Sequence, residues 1–179
     1  MNLANKLTLT RILLIPLFMV CVLAGVPHGN ILATALFVLA AITDGLDGYI
    51  ARKRKQITNL GKLLDPLADK LLVSAALVVL IETGEIGSWV AILIISREFL
   101  VTGLRGVAAA EGIVIAATNL AKVKTVSQII AISLLLLEPL PTELLGFSPG
   151  LWTLYVAVAI TVYSGYDYLV KTFAKINMS

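Results

Sequence analysis

The sequence predicts an all-α polytopic membrane protein with six transmembrane helices and an active site at the cytoplasmic membrane surface. Three observations predict it. Of 179 residues, 59% are hydrophobic and 14% charged, an apolar share well above that of a soluble domain; mean hydropathy is +0.96. The apolar residues gather into six segments, most of them near the roughly 20 residues that cross a hydrocarbon core. The cationic residues collect on one side of the resulting topology.

The segments run Thr8–Gly25, Asn30–Ile50, Pro66–Ile81, Trp89–Ala110, Leu120–Leu137 and Leu151–Phe173. The first could pass for a signal peptide, but Arg11 interrupts its apolar run and no clean small-x-small cleavage site follows. The third is short, which fits a helix that continues out of the membrane at its Asp65 end. Pro66 reads as a residue of that helix's first turn, where its missing N–H costs nothing. Trp89 and Trp152 fall near the outer interface, where aromatic belts sit.

The loops set the orientation. Loop 26–30 has no Lys or Arg, and loops 82–88 and 138–150 hold Glu82, Glu85, Glu138 and Glu143 but no cation. The other side receives Lys6, the run Arg52-Lys53-Arg54-Lys55, Lys62, Arg105, Lys122, Lys124, Lys171 and Lys175. The positive-inside rule therefore puts both termini in the cytoplasm of a multi-pass cell-membrane protein. Residues 1–179 read as one domain. A sequence pI near 9.1 would suggest nucleic acid in a soluble protein. Here the cations sit at helix ends, so anionic lipid headgroups explain them and no nucleic-acid partner is expected. Cys21 is the single cysteine and His28 the single histidine, so neither an internal disulfide nor a Cys/His metal cluster can form.

Chemistry concentrates between the second and third spans. Asp44 and Asp47 are three apart, and Asp65 and Asp69 four apart, so on helices each pair shares a face. A short cytosolic connection brings the pairs together at the inner surface. Isolated, such pairs would read as caps or loop charges. Beside membrane-length apolar runs they are costly, and four gathered carboxylates repel unless a cation neutralises them. An all-oxygen set suits Mg²⁺ or Mn²⁺ better than Zn²⁺.

The run Asp44-x-x-Asp47-Gly48-x-x-Ala51-Arg52, then Gly61, Asp65 and Asp69, resembles the signature of the CDP-alcohol phosphatidyltransferase family. Every signature position is filled, and six spans also resemble that family's architecture. The resemblance implies a two-metal site in which Asp44, Asp47 and Asp65 hold the ions. Asp69 would contact the second ion and act as general base. It also implies contacts from Gly48, Ala51, Arg52, Thr58 and Gly61 to a CDP-diacylglycerol donor. Small residues on a helix face would otherwise mean close helix packing, whereas Arg suits diphosphate geometry. Lys53, Arg54 and Lys55 read as a topology-setting cluster. Asn5 and Thr8 resemble the family's Asn-x-x-Thr-x-x-Arg lead-in and could contact the nucleotide or simply cap the first helix. A homodimer is a further implication of the resemblance.

The acceptor must be recognised elsewhere. Arg97 lies inside the fourth span, and Arg105, Lys122 and Lys124 lie where an anion at the cytoplasmic surface could meet them. Flanking charge would account for Lys122 or Lys124 but not for Arg97. Arg97 and Glu98, being adjacent, should point to different faces rather than pair. The stretches Ser96-Arg97-Glu98-Phe99-x-Val101-Thr102-Gly103-Leu104-Arg105 and Lys122-Val123-Lys124-Thr125 resemble the family's phosphatidylglycerophosphate synthase branch, with Ala121 where Gly is expected. That branch transfers a phosphatidyl group to sn-glycerol 3-phosphate and releases CMP. The alternatives are a sibling enzyme using serine, inositol phosphate or phosphatidylglycerol, and a cation transporter. Serine would not need the extra cations. A transporter should spread its carboxylates along the membrane rather than beside Arg52 at one surface.

Overall fold

The apolar segments form the middles of long helices, and polar flanks extend several of them. In the computed structural model, residues 3–25, 27–53, 59–110, 119–138 and 140–176 are described. Side chains are described for these except 3–4, 44–53, 59–60, 62–63, 110, 119 and 171–176. The described residues are all-helical, without strands. They comprise α1 (Leu3–Leu23), α2 (Gly29–Lys53), α3 (Asn59–Glu82), α4 (Ser88–Ala110), α5 (Asn119–Leu136), the short α6 (Leu140–Leu145) and α7 (Pro149–Ile176). Only α6 was not foreseen; it lies within the loop expected after the fifth segment.

One boundary differs in kind. Pro66 lies inside α3, about two turns from its start at Asn59, and does not open the helix. The N–H it lacks would bond the carbonyl four residues back, only one turn into the helix, where the ladder has just begun. The longer helix thus carries both Gly61 and Asp65 as helical residues. The other end of α3 closes at Gly84, with φ +78°. Gly84 N donates to Ile81 O at 3.0 Å and Glu85 N to Leu80 O at 2.9 Å, the paired bonds of a Schellman ending that favours glycine. At the start of α7, Ser148 Oγ accepts from Leu151 N at 3.3 Å, with Pro149 as first helical residue.

Helix α1 packs on α2 and α3, α7 packs on α5 and α4, and contacts of α3 with α4 and of α2 with α5 join the two groups. Fully buried Ala33, Ala40, Ala76, Ala131 and Ala157 allow the helices to approach closely. Between them Phe18 and Phe37 meet edge to face, 6.2 Å apart. Cys21 belongs to this core. Polar pins cross it: Gln128 Nε2 donates to Thr161 Oγ1 at 3.1 Å, and Arg11 Nε donates to Ala40 O at 3.1 Å. That carbonyl lies one turn before Asp44, so Arg11 ties α1 to the base of the aspartate-bearing end of α2. Among the described residues, the Asn5–Leu23 stretch of α1, with mean hydropathy 2.0, is long and apolar enough to cross a membrane; the apolar run Gly29–Thr43 in α2 is shorter.

The opposite end of the bundle holds a second acidic contact. Glu138 is buried and accepts from Thr142 and Ser148, at 2.9 and 2.7 Å. Desolvation, then repulsion from Glu138, holds the Glu85 carboxyl above its ordinary value. A raised carboxyl stabilises the fold below the unfolded pKa, and that contribution is lost as pH rises through the folded value. Glu85→Gln should therefore raise the thermal midpoint at neutral pH, with the gain vanishing as pH falls through the carboxylate range. Thermal melts in detergent from pH 4 to 8 check this; a gain that persists at the acid end would contradict it.

Candidate active site

Helix α2 carries Asp44, Asp47, Gly48, Ala51 and Arg52 along its last three turns. Their side chains, like the whole of Thr58, lie outside the described residues. On α3, Asp65 and Asp69 stand one turn apart, and Gly61 is buried one turn before Asp65. Thr8 Oγ1 donates to Asp65 Oδ1 at 2.7 Å, and both Thr8 and Asn5 are buried within α1. Neither residue caps the helix, which starts at Leu3. Thr8 instead reaches Asp65, and Asn5, Thr8 and Arg11 recur every three positions on a buried face. A hydroxyl donating to a carboxylate oxygen orients that group, as outer-sphere partners do for metal ligands.

Asp69 contacts the ammonium of its neighbour Lys70, and Lys70 Nζ reaches Glu98 Oε2 at 3.6 Å. Glu98 is the hub of the adjoining site. Its Oε1 also accepts from the Lys124 ammonium, and Arg97 Nη1 lies 3.4 Å from the same oxygen. The expectation that Arg97 and Glu98 do not pair is thus corrected. The Arg97 side chain is long enough to swing round the helix to its neighbour's carboxylate, while Nη2 donates to Ser164 Oγ on α7 at 2.9 Å. The path of Arg97 depends on Gly165. A Cβ there would stand 3.0 Å from Arg97 Cγ, tighter than packed side chains accept without moving.

Arg97, Arg105 and Lys124 line one cleft of about 100 Å³ between α4, α5 and α7, together with Lys70 and Glu98. Lys124 is buried, so it is not a flanking surface charge. Arg105 is exposed and its guanidinium lies 5.6 Å from the centroid of the Tyr168 ring, within cation–π range. Lys122 is placed apart: it is exposed and borders a shallower depression with Arg105 and Thr125. Four cations against one carboxylate give the cleft a positive field, which suits an anion.

Sequence reasoning missed Lys70, Glu98, Ser164 and Tyr168. Lys70 follows Asp69 directly and Glu98 is a carboxylate within an apolar segment, so a buried charge partner was the available signal. Ser164 and Tyr168 are four apart on one face of α7, but nothing in the pattern says which helix that face meets. Among the described residues no three acidic, His or Cys side chains come together; Asp44 and Asp47 are not among those side chains.

Comparison with known proteins shows the family. The model of the CDP-alcohol phosphatidyltransferase family matches residues 1–163. The chain is 49% identical, over 190 aligned positions, to the CDP-diacylglycerol–glycerol-3-phosphate 3-phosphatidyltransferase of Bacillus subtilis (strain 168), covering 99% of this chain and 98% of that protein. Proteins of the same name from Rickettsia bellii and Pectobacterium atrosepticum are 40% and 36% identical over 168 and 173 residues. Those alignments cover 93% of each chain for the former, and 94% of this chain and 93% of the relative for the latter.

Proposed function

Because the chain belongs to the CDP-alcohol phosphatidyltransferase family, we propose that it transfers the phosphatidyl group of CDP-diacylglycerol to sn-glycerol 3-phosphate. The products are phosphatidylglycerol phosphate and CMP, and the process served is phospholipid biosynthesis. The names of its relatives state this donor and acceptor. The observation that carries the acceptor is the cationic cleft, which is linked through Lys70 to Asp69. An acceptor without a phosphate, such as serine, would not need all of those cations.

In this reading Asp44, Asp47, Asp65 and Asp69 hold two divalent cations, Mg²⁺ or Mn²⁺. The donor set fits: it is all carboxylate oxygen, and Thr8 orients Asp65. Such ions, when bound, neutralise pyrophosphate charge and the leaving group. Asn5, Thr8, Gly48, Ala51, Arg52, Thr58 and Gly61 bind the nucleotide end of the donor. Arg97, Arg105 and Lys124 hold the acceptor's phosphate, with Lys122 at the entrance. The acceptor's primary hydroxyl then attacks the phosphatidyl phosphorus and loses its proton to Asp69. The new P–O bond forms as the bond to CMP breaks, and CMP leaves with that electron pair. A base need only lie within hydrogen-bond reach of the hydroxyl.

The same reading places six helices across the cell membrane, with both termini and the site on the cytoplasmic side, in a homodimer. Helix lengths of 18 to 28 residues suit spans of about 17–25 residues with projecting ends. One experiment tests product and sidedness together. Sealed vesicles containing the protein and CDP-diacylglycerol receive, from outside, glycerol 3-phosphate, serine, inositol phosphate or phosphatidylglycerol, and the lipid product is identified. Phosphatidylglycerol phosphate should form from glycerol 3-phosphate in inside-out vesicles and not in right-side-out ones. A different lipid would overturn the acceptor, and activity confined to right-side-out vesicles would overturn the orientation.

A further inference from the structure

The cleft contains a neutral group that the phosphate-binding cations leave unused. Tyr168 is 5% exposed and lines the cleft, yet its hydroxyl has no hydrogen-bond partner among the described residues. Buried hydroxyls are nearly always bonded, because leaving one unmade opposes folding. Arg97 Nε, on the same cleft, is the other buried side-chain polar atom in this condition among the described residues. Arg97 is held through its two Nη atoms by Glu98 and Ser164, so its Nε–H is left for something else. Arg97 and Tyr168 thus each bring a buried, unpartnered donor to the wall of one small cationic cleft, where a bound ligand would supply oxygen acceptors.

The ring around that hydroxyl is well held. Arg105 stacks over it, and α7 places it one turn beyond Ser164, the anchor of Arg97. We propose that Tyr168 is an acceptor-binding residue whose hydroxyl donates to a phosphate oxygen of the bound acceptor. This rests on the acceptor reading above. A phenol suits the position because it adds a directed donor without adding a fifth positive charge beside Glu98. Without a partner among the described residues, the hydroxyl becomes bonded when the acceptor enters.

This arrangement makes two effects of Tyr168→Phe run in opposite directions. The variant keeps the ring and its stacking with Arg105 and removes only the hydroxyl. Its thermal midpoint without ligand should equal or exceed that of the wild type. Its KM for glycerol 3-phosphate should rise about 10- to 100-fold, the worth of one hydrogen bond to a charged group, with the KM for CDP-diacylglycerol unchanged. The upward shift of the midpoint produced by inorganic phosphate should shrink in parallel. An unchanged KM for glycerol 3-phosphate together with an undiminished phosphate shift overturns the proposal. So does a lowered ligand-free midpoint with both KM values raised, since that is loss of packing. Failure of the wild type to use glycerol 3-phosphate would instead sink the acceptor reading, and the phosphate shift would still decide the role of Tyr168.

Discussion

Asp44→Asn, Asp47→Asn and Asp65→Asn should each lower turnover by at least about 10²- to 10³-fold, the usual cost of losing one group that stabilises developing charge. Asn keeps the shape of the side chain and removes the charge, so the loss reports on cation binding rather than packing. Divalent-ion binding, followed by titration calorimetry, should weaken in all three. Asp69→Asn should lose turnover equally, yet retain binding of CDP-diacylglycerol, because its distinguishing task is to take the acceptor's proton. Near-normal turnover in any of the four would contradict a shared two-metal site. Loss of donor binding in Asp69→Asn would count against its role as base alone. For Asp65 the structure adds a milder companion: Thr8→Val should reduce turnover by about 10- to 100-fold, the scale of losing an outer partner of a ligating group, since it removes the 2.7 Å bond that orients the carboxylate.

Glu98→Gln should be the most destabilising single change in the cationic cleft. The carboxylate meets Lys124, Arg97 and Lys70 at once, and all four side chains are at least four-fifths buried. Removing the partner of a buried charge costs about 3–5 kcal/mol; here Lys124 and Arg97 lose their carboxylate, while Lys70 keeps Asp69. Here the remaining charges also repel one another. A phosphate can take the place of the lost carboxylate, so glycerol 3-phosphate or inorganic phosphate should raise the thermal midpoint of this variant more than that of the wild type. Equal midpoints for variant and wild type would show that Glu98 does not hold the three cations.

The candidate site's carboxylates were legible because they are written in fixed spacing. Asp44 to Asp47 and Asp65 to Asp69 place carboxylates on single helix faces whatever the tertiary structure does. Arg97 stood out by its cost within an apolar run, and it lines the cleft. What stayed hidden depends on which helices become neighbours. The partners of Glu98 come from α3, α4 and α5, and the partner of Asp65 from α1. No periodicity within one helix reveals such contacts. Adjacency misled once, for Arg97 and Glu98, because a flexible guanidinium can cross the angle that separates neighbouring Cβ atoms. Pro66 misled in a second way. Apolarity marks where hydrocarbon would begin, whereas the helix runs on through polar residues as long as its backbone bonds continue, so α3 starts seven residues earlier.

The proposed acceptor site holds the phosphate of the acceptor in the cleft between α4, α5 and α7. It is tested most directly by initial-rate kinetics of Arg97→Gln and Lys124→Met, varying each substrate in turn, in protein shown to be folded and inserted. Each charged hydrogen bond contributes about 1.5–3 kcal/mol, so each variant should lose roughly 10- to 100-fold in kcat/KM for glycerol 3-phosphate. The loss should appear mainly as a raised KM for that substrate, with the KM for CDP-diacylglycerol little changed. Wild-type kinetics for glycerol 3-phosphate in both variants would contradict the claim and leave the acceptor to be recognised elsewhere.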